Sequence, residues 1–216
     1  MKTFIIIISM SEDKKNKIFR KIQPYLINNK FLDEFIDEIL TKENISKEDF
    51  YINFPEKTKS ICLYFFEKNS IFIKQANKKR VSREKSIGKK VTFYLEKSFV
   101  FFEKNRETTL FFLNYFITHP CLFNKISRNF ANLVWVEIKD KSLDFNYYTK
   151  RYILSKIFQN SLFYWRHTSD KQQTMLFVEN QISSLSIIGK FKKRSKEIID
   201  KLGIQNLLSK LDFMHR

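Results

Sequence analysis

The stretch ISKEDFYINFPEKTKSICLYF, Ile45 to Phe65, decides how this chain is read. Ser46 with Asp49 three residues later is a variant of the capping box, in which a short polar side chain takes up the free N–H groups at a helix start. Asn44 stands just ahead of it, and asparagine tolerates the positive φ that a glycine-free turn needs. Upstream, Ile18, Phe19, Ile22, Tyr25 and Leu26 keep the three-and-four spacing of one helical face from Lys14 to Asn29. Leu32, Phe35, Ile36, Ile39 and Leu40 do the same for a second, shorter helix, so Ser46 opens a third.

Working downstream, residues from Ala76 to Lys90 are polar, strongly basic and contain the first glycine, Gly88, which reads as an inter-helix connection or a frayed helix end. Phe-rich helices are expected over Val91 to Lys104, Glu107 to Thr118, and from Pro120 to about Val136, proline being suited to a first helical turn. A long helix follows from Asp144 to Arg166, with Leu154, Ile157, Phe158, Ser161, Leu162 and Trp165 on one side, then another from about Asp170 to Gly189. The last, Phe191 to Leu211, is basic and amphipathic. Residues 1–13 read as disordered or as a mis-called start, with translation beginning at Met10, because the apolar run Phe4 to Ile8 is too short for a signal peptide.

The chain has 216 residues, 43% hydrophobic and 29% charged, with only 3 Gly and 3 Pro, so helix is the default and turn-rich sheet is disfavoured. Its net charge of +17 calls for an acidic partner, nucleic acid or the anionic face of a bilayer, while the abundance of Lys, Asn, Ile and Phe also fits an AT-rich genome. Cys62 and Cys121 stand alone and read as buried thiols of a reducing compartment. His119, His167 and His215 are scattered, without the spacing of a helical metal site, and no nucleophile–base pair is visible, so neither metal, cofactor nor catalysis is expected. No run approaches the roughly 18–20 apolar residues needed to span a bilayer.

Ser46, Tyr51, Phe54, Pro55 and Lys57 resemble the second half of a TetR-type helix-turn-helix. The resemblance implies a serine cap on the recognition helix, an aromatic pair that packs it on the bundle, and a proline and lysine that open a long fourth helix. The exposed positions after Ser46 are Lys47, Glu48 and Asp49, two carboxylates that would meet phosphates with the wrong sign. Sequence-specific nucleic-acid binding is therefore not expected, and a TetR-type transcriptional regulator is the alternative reading.

The segment WVEIKDKSLDFNYYTKR, Trp135 to Arg151, carries the most specific signal. Trp135, Asp140, Ser142, Asp144, Phe145, Asn146, Tyr148, Thr149, Lys150 and Arg151 match, in order and spacing, the signature of the TetR-like lipid-binding proteins of ubiquinone biosynthesis, the coenzyme Q nine family. Lys139 stands where that family has glycine, and Tyr147 where it has tryptophan. The likeness continues through Leu154 to Trp165 and Thr174 to Ile182.

What the resemblance implies is an all-α, TetR-like helical bundle with an N-terminal helix-turn-helix and a C-terminal amphipathic helix. In that division residues 14–75 are the head, 76–90 a basic connection, 91–190 a ligand-binding bundle and 191–216 a membrane-contact helix. It further implies a cytoplasmic, non-catalytic protein, peripheral on the inner membrane face and expected to be a homodimer. Such a protein binds a polyprenylated quinone intermediate and presents it to the demethoxyubiquinone hydroxylase, a di-iron enzyme.

Three groups of residues are expected to do this. A helix starting near Asp144 puts Asp144, Tyr147, Tyr148 and Arg151 at three-and-four spacing, a face suited to docking a partner together with Trp135, Asp140, Ser142, Asn146 and Lys150. Capping of the helix by Asp140, Ser142 and Asp144 is the competing reading. Phe99, Phe102, Phe112, Phe116, Leu154, Phe158, Leu162 and Trp165 are expected to line a lipid pocket, or else to form a solid Phe-for-Leu core. Ile198, Ile199, Leu202, Leu208 and Leu211, flanked by lysines, form a stripe for an anionic membrane surface, a dimer contact or closure of the bundle.

Overall fold

The fold is that of a computed structural model, which describes residues 2–28, 32–76, 78–140 and 144–184, without the side chains of 2–11, 27–28, 78–80 and 144–146. The five residues of the expected membrane stripe and Ser142 lie outside the described residues. Every described element is a helix: α1 Lys2–Asn28, α2 Leu32–Lys42, α3 Lys47–Asn53, α4 Thr58–Lys74, α5 Lys78–Arg83, α6 Ile87–Lys104, α7 Arg106–Thr118, α8 Pro120–Glu137 and α9 Asp144–Thr168, followed by α10 at 171–184. Among the described residues no helix is long and apolar enough to cross a membrane.

Local chemistry fixes the turns. Asn44 has φ 51°, the left-handed conformation that asparagine tolerates, and Ser46 accepts from Asp49 N–H at 3.4 Å to cap α3. Only half of the capping box forms, because the Asp49 carboxylate is drawn away to Lys14 at 2.6 Å. The N-terminus of α4 is capped from a distance: Asp33 on α2 accepts from both the Thr58 N–H, at 3.0 Å, and the Thr58 hydroxyl. Asp170 accepts from Gln172 and Gln173 N–H and starts α10.

Two expectations are corrected. Residues 2–13, expected as a disordered or frayed tail, are part of α1, since no glycine or proline interrupts the chain before Pro24. Gly88, expected in an inter-helix connection or at a frayed helix end, is in the first turn of α6, capped by Ser86, and the segment before it contains the short α5. A Cβ at Gly88 would stand 3.2 Å from Ile182 Cγ2, so this glycine allows α6 and α10 their close approach.

One contiguous core runs from Ile18 on α1 to Val178 on α10 and crosses the border placed at residues 76–90. It is built from aromatic rings more than aliphatic chains. Phe65 of α4 meets Phe101 and Phe112, each at 5.2–5.3 Å between ring centroids, and so ties the head to α6 and α7. Phe130 of α8 stacks on Phe158 of α9 at 4.0 Å. Cys62 lies in this core, where burial pushes its thiol well up, whereas Cys121, also expected to be buried, is exposed in the first turn of α8.

Candidate functional site at the α8 to α9 reversal

Helix α8 ends in a Schellman-type closure. Asp140 N–H reaches back to Trp135 C=O at 3.0 Å and Lys139 N–H to Val136 C=O at 2.9 Å, a closure that requires Lys139 itself to be left-handed. Lys139 has φ 61°. The reversal places the end of α8 against the first turns of α9, and the polar residues of the motif gather there.

Asp140 is the hub of the cluster. Its side chain is only 7% exposed and pairs with Lys150 at 2.8 Å and Arg151 at 3.9 Å. Arg151 is held from three further sides: Nε donates to Asn132 Oδ1 at 3.0 Å, Nη1 donates to Tyr147 C=O at 3.1 Å, and the guanidinium lies 3.4 Å from the centre of the Tyr147 ring. Trp135, nearly buried, donates from its indole to Lys150 C=O at 3.2 Å, with the Lys150 ammonium 5.1 Å from its ring. The arrangement has an indole, a carboxylate, two cations and a phenol that fix one another, so it locks α9 onto α8.

The expected docking residues thus divide. Trp135, Asp140, Tyr147, Lys150 and Arg151 come together, and Asp140 serves as an ion-pair centre. Asp144 and Asn146 lie in the first turn of α9, their side chains outside the described residues. Tyr148 points away from the lock: it is 72% exposed, touching Tyr147 edge-on, and Tyr152 one turn later is also exposed. Tyr152 was not singled out in the sequence, although its spacing of four from Tyr148 puts the two on one face.

The eight residues expected around a lipid are all buried. Phe99 contacts Phe102 and Trp165, Phe102 contacts Phe158, and Phe112 and Phe116 meet Phe66, so the rings pack on one another. Trp165 spends its indole N–H on Glu103 at 2.8 Å and carries Arg106 over its ring. Open volume lies elsewhere. One cleft of about 840 Å³ runs between the N-terminal end of α6 and α10, and another of about 380 Å³ lies along α8 beside Cys121 and Arg128. The most apolar, about 430 Å³, lies between α9 and α10 and is lined by Tyr152, Ile153, Ile157 and Phe177 among others. Among the described residues no group of three or more His, Cys, Asp and Glu could hold a metal ion.

The α2–α3 head has the opposite electrostatic character to the whole chain. Between residues 32 and 56 eight carboxylates face two lysines, Lys42 and Lys47, and Lys47 is neutralised by Asp37 at 2.9 Å. That pairing lowers the Asp37 carboxyl below its usual range.

No curated protein and no solved structure matches the chain. A family match does exist, and it falls on the lock and the helices around it rather than on the head. Residues 124–189, from α8 through α10, match the COQ9 family, whose place is in ubiquinone biosynthesis.

Proposed function

We propose that this chain is a non-catalytic accessory protein of ubiquinone biosynthesis, which takes a polyprenylated quinone intermediate from an anionic membrane surface and presents it to the demethoxyubiquinone hydroxylase. The observation that carries this reading is the coincidence of the COQ9 match with the Asp140-centred lock. Among the described residues of the motif, Asp140, Lys150 and Arg151 are spent on one another, fixing the pose of α9. What they hold out to solvent is Tyr148 and Tyr152, large side chains with an apolar body and a hydrogen-bonding tip, the residue type enriched at interface hot spots. This face is the docking surface for the hydroxylase.

Lipid binding is supported by the apolar cleft between α9 and α10 and by the aromatic interior behind it. Ile157 lines the cleft, and the neighbouring Leu154, Phe158, Leu162 and Trp165 on α9 belong to the core. An isoprenoid tail entering there meets rings that have few polar atoms to desolvate, and its burial contributes about 25 cal/mol per Å². Membrane contact belongs to the lysine-flanked stripe of Ile198, Ile199, Leu202, Leu208 and Leu211, each cation near anionic lipid contributing about 1 kcal/mol. The acidic α2–α3 stretch, residues 32–56, disfavours the alternative, a nucleic-acid-binding regulator, because phosphate contacts dominate such binding.

Mass spectrometry of small molecules that co-purify with the protein from a membrane-containing host tests the reading. An isoprenoid quinone or precursor is expected in the extract; its absence would count against lipid carriage.

A further inference from the structure

The cleft of about 840 Å³ between α6 and α10 is lined by charges of both signs, and they are segregated. Arg83, Lys89 and Lys90 stand where α5 gives way to α6, and Glu96 stands two turns further along α6, about 10 Å at a rise of about 1.5 Å per residue. Glu179 belongs to the Glu96 end. Gly88 meets Ile182, while farther back on α10 Phe177 stacks on Tyr164, whose neighbour Trp165 meets Phe99, so α10 runs antiparallel to α6. Among the described residues none of these five charged side chains makes an ion pair. Glu84 shares the basic end, where the Ser86 N–H, and then Lys89 and Lys90, hold its carboxyl below the usual range. That end therefore has three cations to one carboxylate.

Opposite charges in one cleft ordinarily cancel by pairing, and here two turns of helix keep them apart. A simple anion drawn to the basic end is repelled by Glu96 and Glu179, and a simple cation is repelled from the other side. A partner with both signs on one short head meets each with its opposite. Arg83 adds a forked donor that matches phosphate oxygens, and carboxylates suit an ammonium group. Val81, Phe93 and Ile182 give the same cleft an apolar wall, against which the glycerol and first acyl carbons of a lipid can lie. The volume falls within the roughly 300–1,000 Å³ of small-molecule sites, far more than a lone ion fills.

We infer that the α6–α10 cleft binds the head of a zwitterionic phospholipid, its phosphate toward Arg83, Lys89 and Lys90 and its ammonium toward Glu96 and Glu179. The site lies on the other side of α10 from the apolar α9–α10 cleft, and it does not depend on quinone carriage. The two carboxylates are the specificity residues, since both zwitterionic and anionic phospholipids carry the phosphate and only the former carries the ammonium.

The test uses the full-length protein stripped of lipid, titrated calorimetrically with monomeric dihexanoyl phosphatidylethanolamine, dihexanoyl phosphatidylglycerol and glycerophosphoethanolamine, the same head without acyl chains. The wild type is expected to bind the ethanolamine lipid about fivefold more tightly than the glycerol lipid, the factor of an exposed charge pair. In the double variant Glu96→Gln, Glu179→Gln that preference is expected to vanish or reverse, because the ammonium loses its partners and the cations remain. Lys89→Gln with Lys90→Gln is expected to weaken both lipids. All variants are expected to melt within about 2 °C of the wild type, since the substituted groups are unpaired; a larger drop in the carboxylate variant would make those groups structural and overturn the inference. Equal binding of the two lipids by the wild type, or a preference unchanged in the carboxylate variant, would also overturn it. Glycerophosphoethanolamine bound as tightly as the lipid would make the ligand a free phosphate ester and overturn the lipid assignment.

Discussion

The α2–α3 head and the α8–α9 reversal are both helix–turn–helix units with a left-handed residue at the turn, Asn44 in one and Lys139 in the other. They differ in how their charges are spent. In the head the ion pairs lie on the surface: both partners of Lys47–Asp37 are more than half exposed, and such pairs contribute little to stability. At the reversal the carboxylate is nearly buried and shared between two cations, each held by further contacts. The α2–α3 stretch, residues 32–56, carries an excess of carboxylates, the wrong sign of charge for DNA. The reversal has a charge arrangement that fixes a surface, and this is the part that matches the COQ9 family.

The sharpest way to break this contrast is to remove the hub. Asp140→Ala strands two cations in a partly shielded site and is expected to cost about 2–4 kcal/mol, or about 5–12 °C in Tm for a chain of this size. Thermal unfolding followed by circular dichroism reads it; a loss under 2 °C would show that the cluster does not lock α9. Next, Tyr148→Ala is expected to leave Tm within about 1 °C while weakening association with the hydroxylase by tenfold or more, as measured by surface plasmon resonance. Equal losses of stability and binding would make Tyr148 structural.

The left-handed turns sharpen the contrast further. Lys139→Gly is expected to raise stability by about 0.5–1 kcal/mol, since the present lysine adopts a conformation that costs a side chain more than it costs glycine. A decrease in the same melting experiment would mean that the lysine makes a compensating contact. The smallest effect is expected in the head: Ser46→Ala removes one long capping bond and is expected to cost about 0.5–1 kcal/mol, with no change in hydroxylase binding. A change in that binding would extend the docking surface to the head.

What the sequence revealed follows from how far apart the cooperating residues lie. Asn44, Ser46 and Pro120 act on their own turn, so their roles are legible from the chain alone. The lysine in place of the family's glycine pointed to the turn at 139, and φ 61° supplies the physical reason that glycine is favoured there. Asp140 was legible as part of a motif but not as the partner of Lys150 and Arg151, because that pairing exists only once the chain has reversed between α8 and α9. Aromatic composition announced the amount of apolar volume and not its packing: the rings of Phe99, Phe102 and Phe158 fill the interior, and the open apolar space lies beside Tyr152 and Phe177.

The most direct measurement is the turnover of the demethoxyubiquinone hydroxylase on substrate embedded in anionic vesicles, with this protein added at increasing concentration. The account predicts a several-fold, saturable rise with the wild type and little or none with Tyr148→Ala. A rate unchanged by the wild-type protein would contradict it.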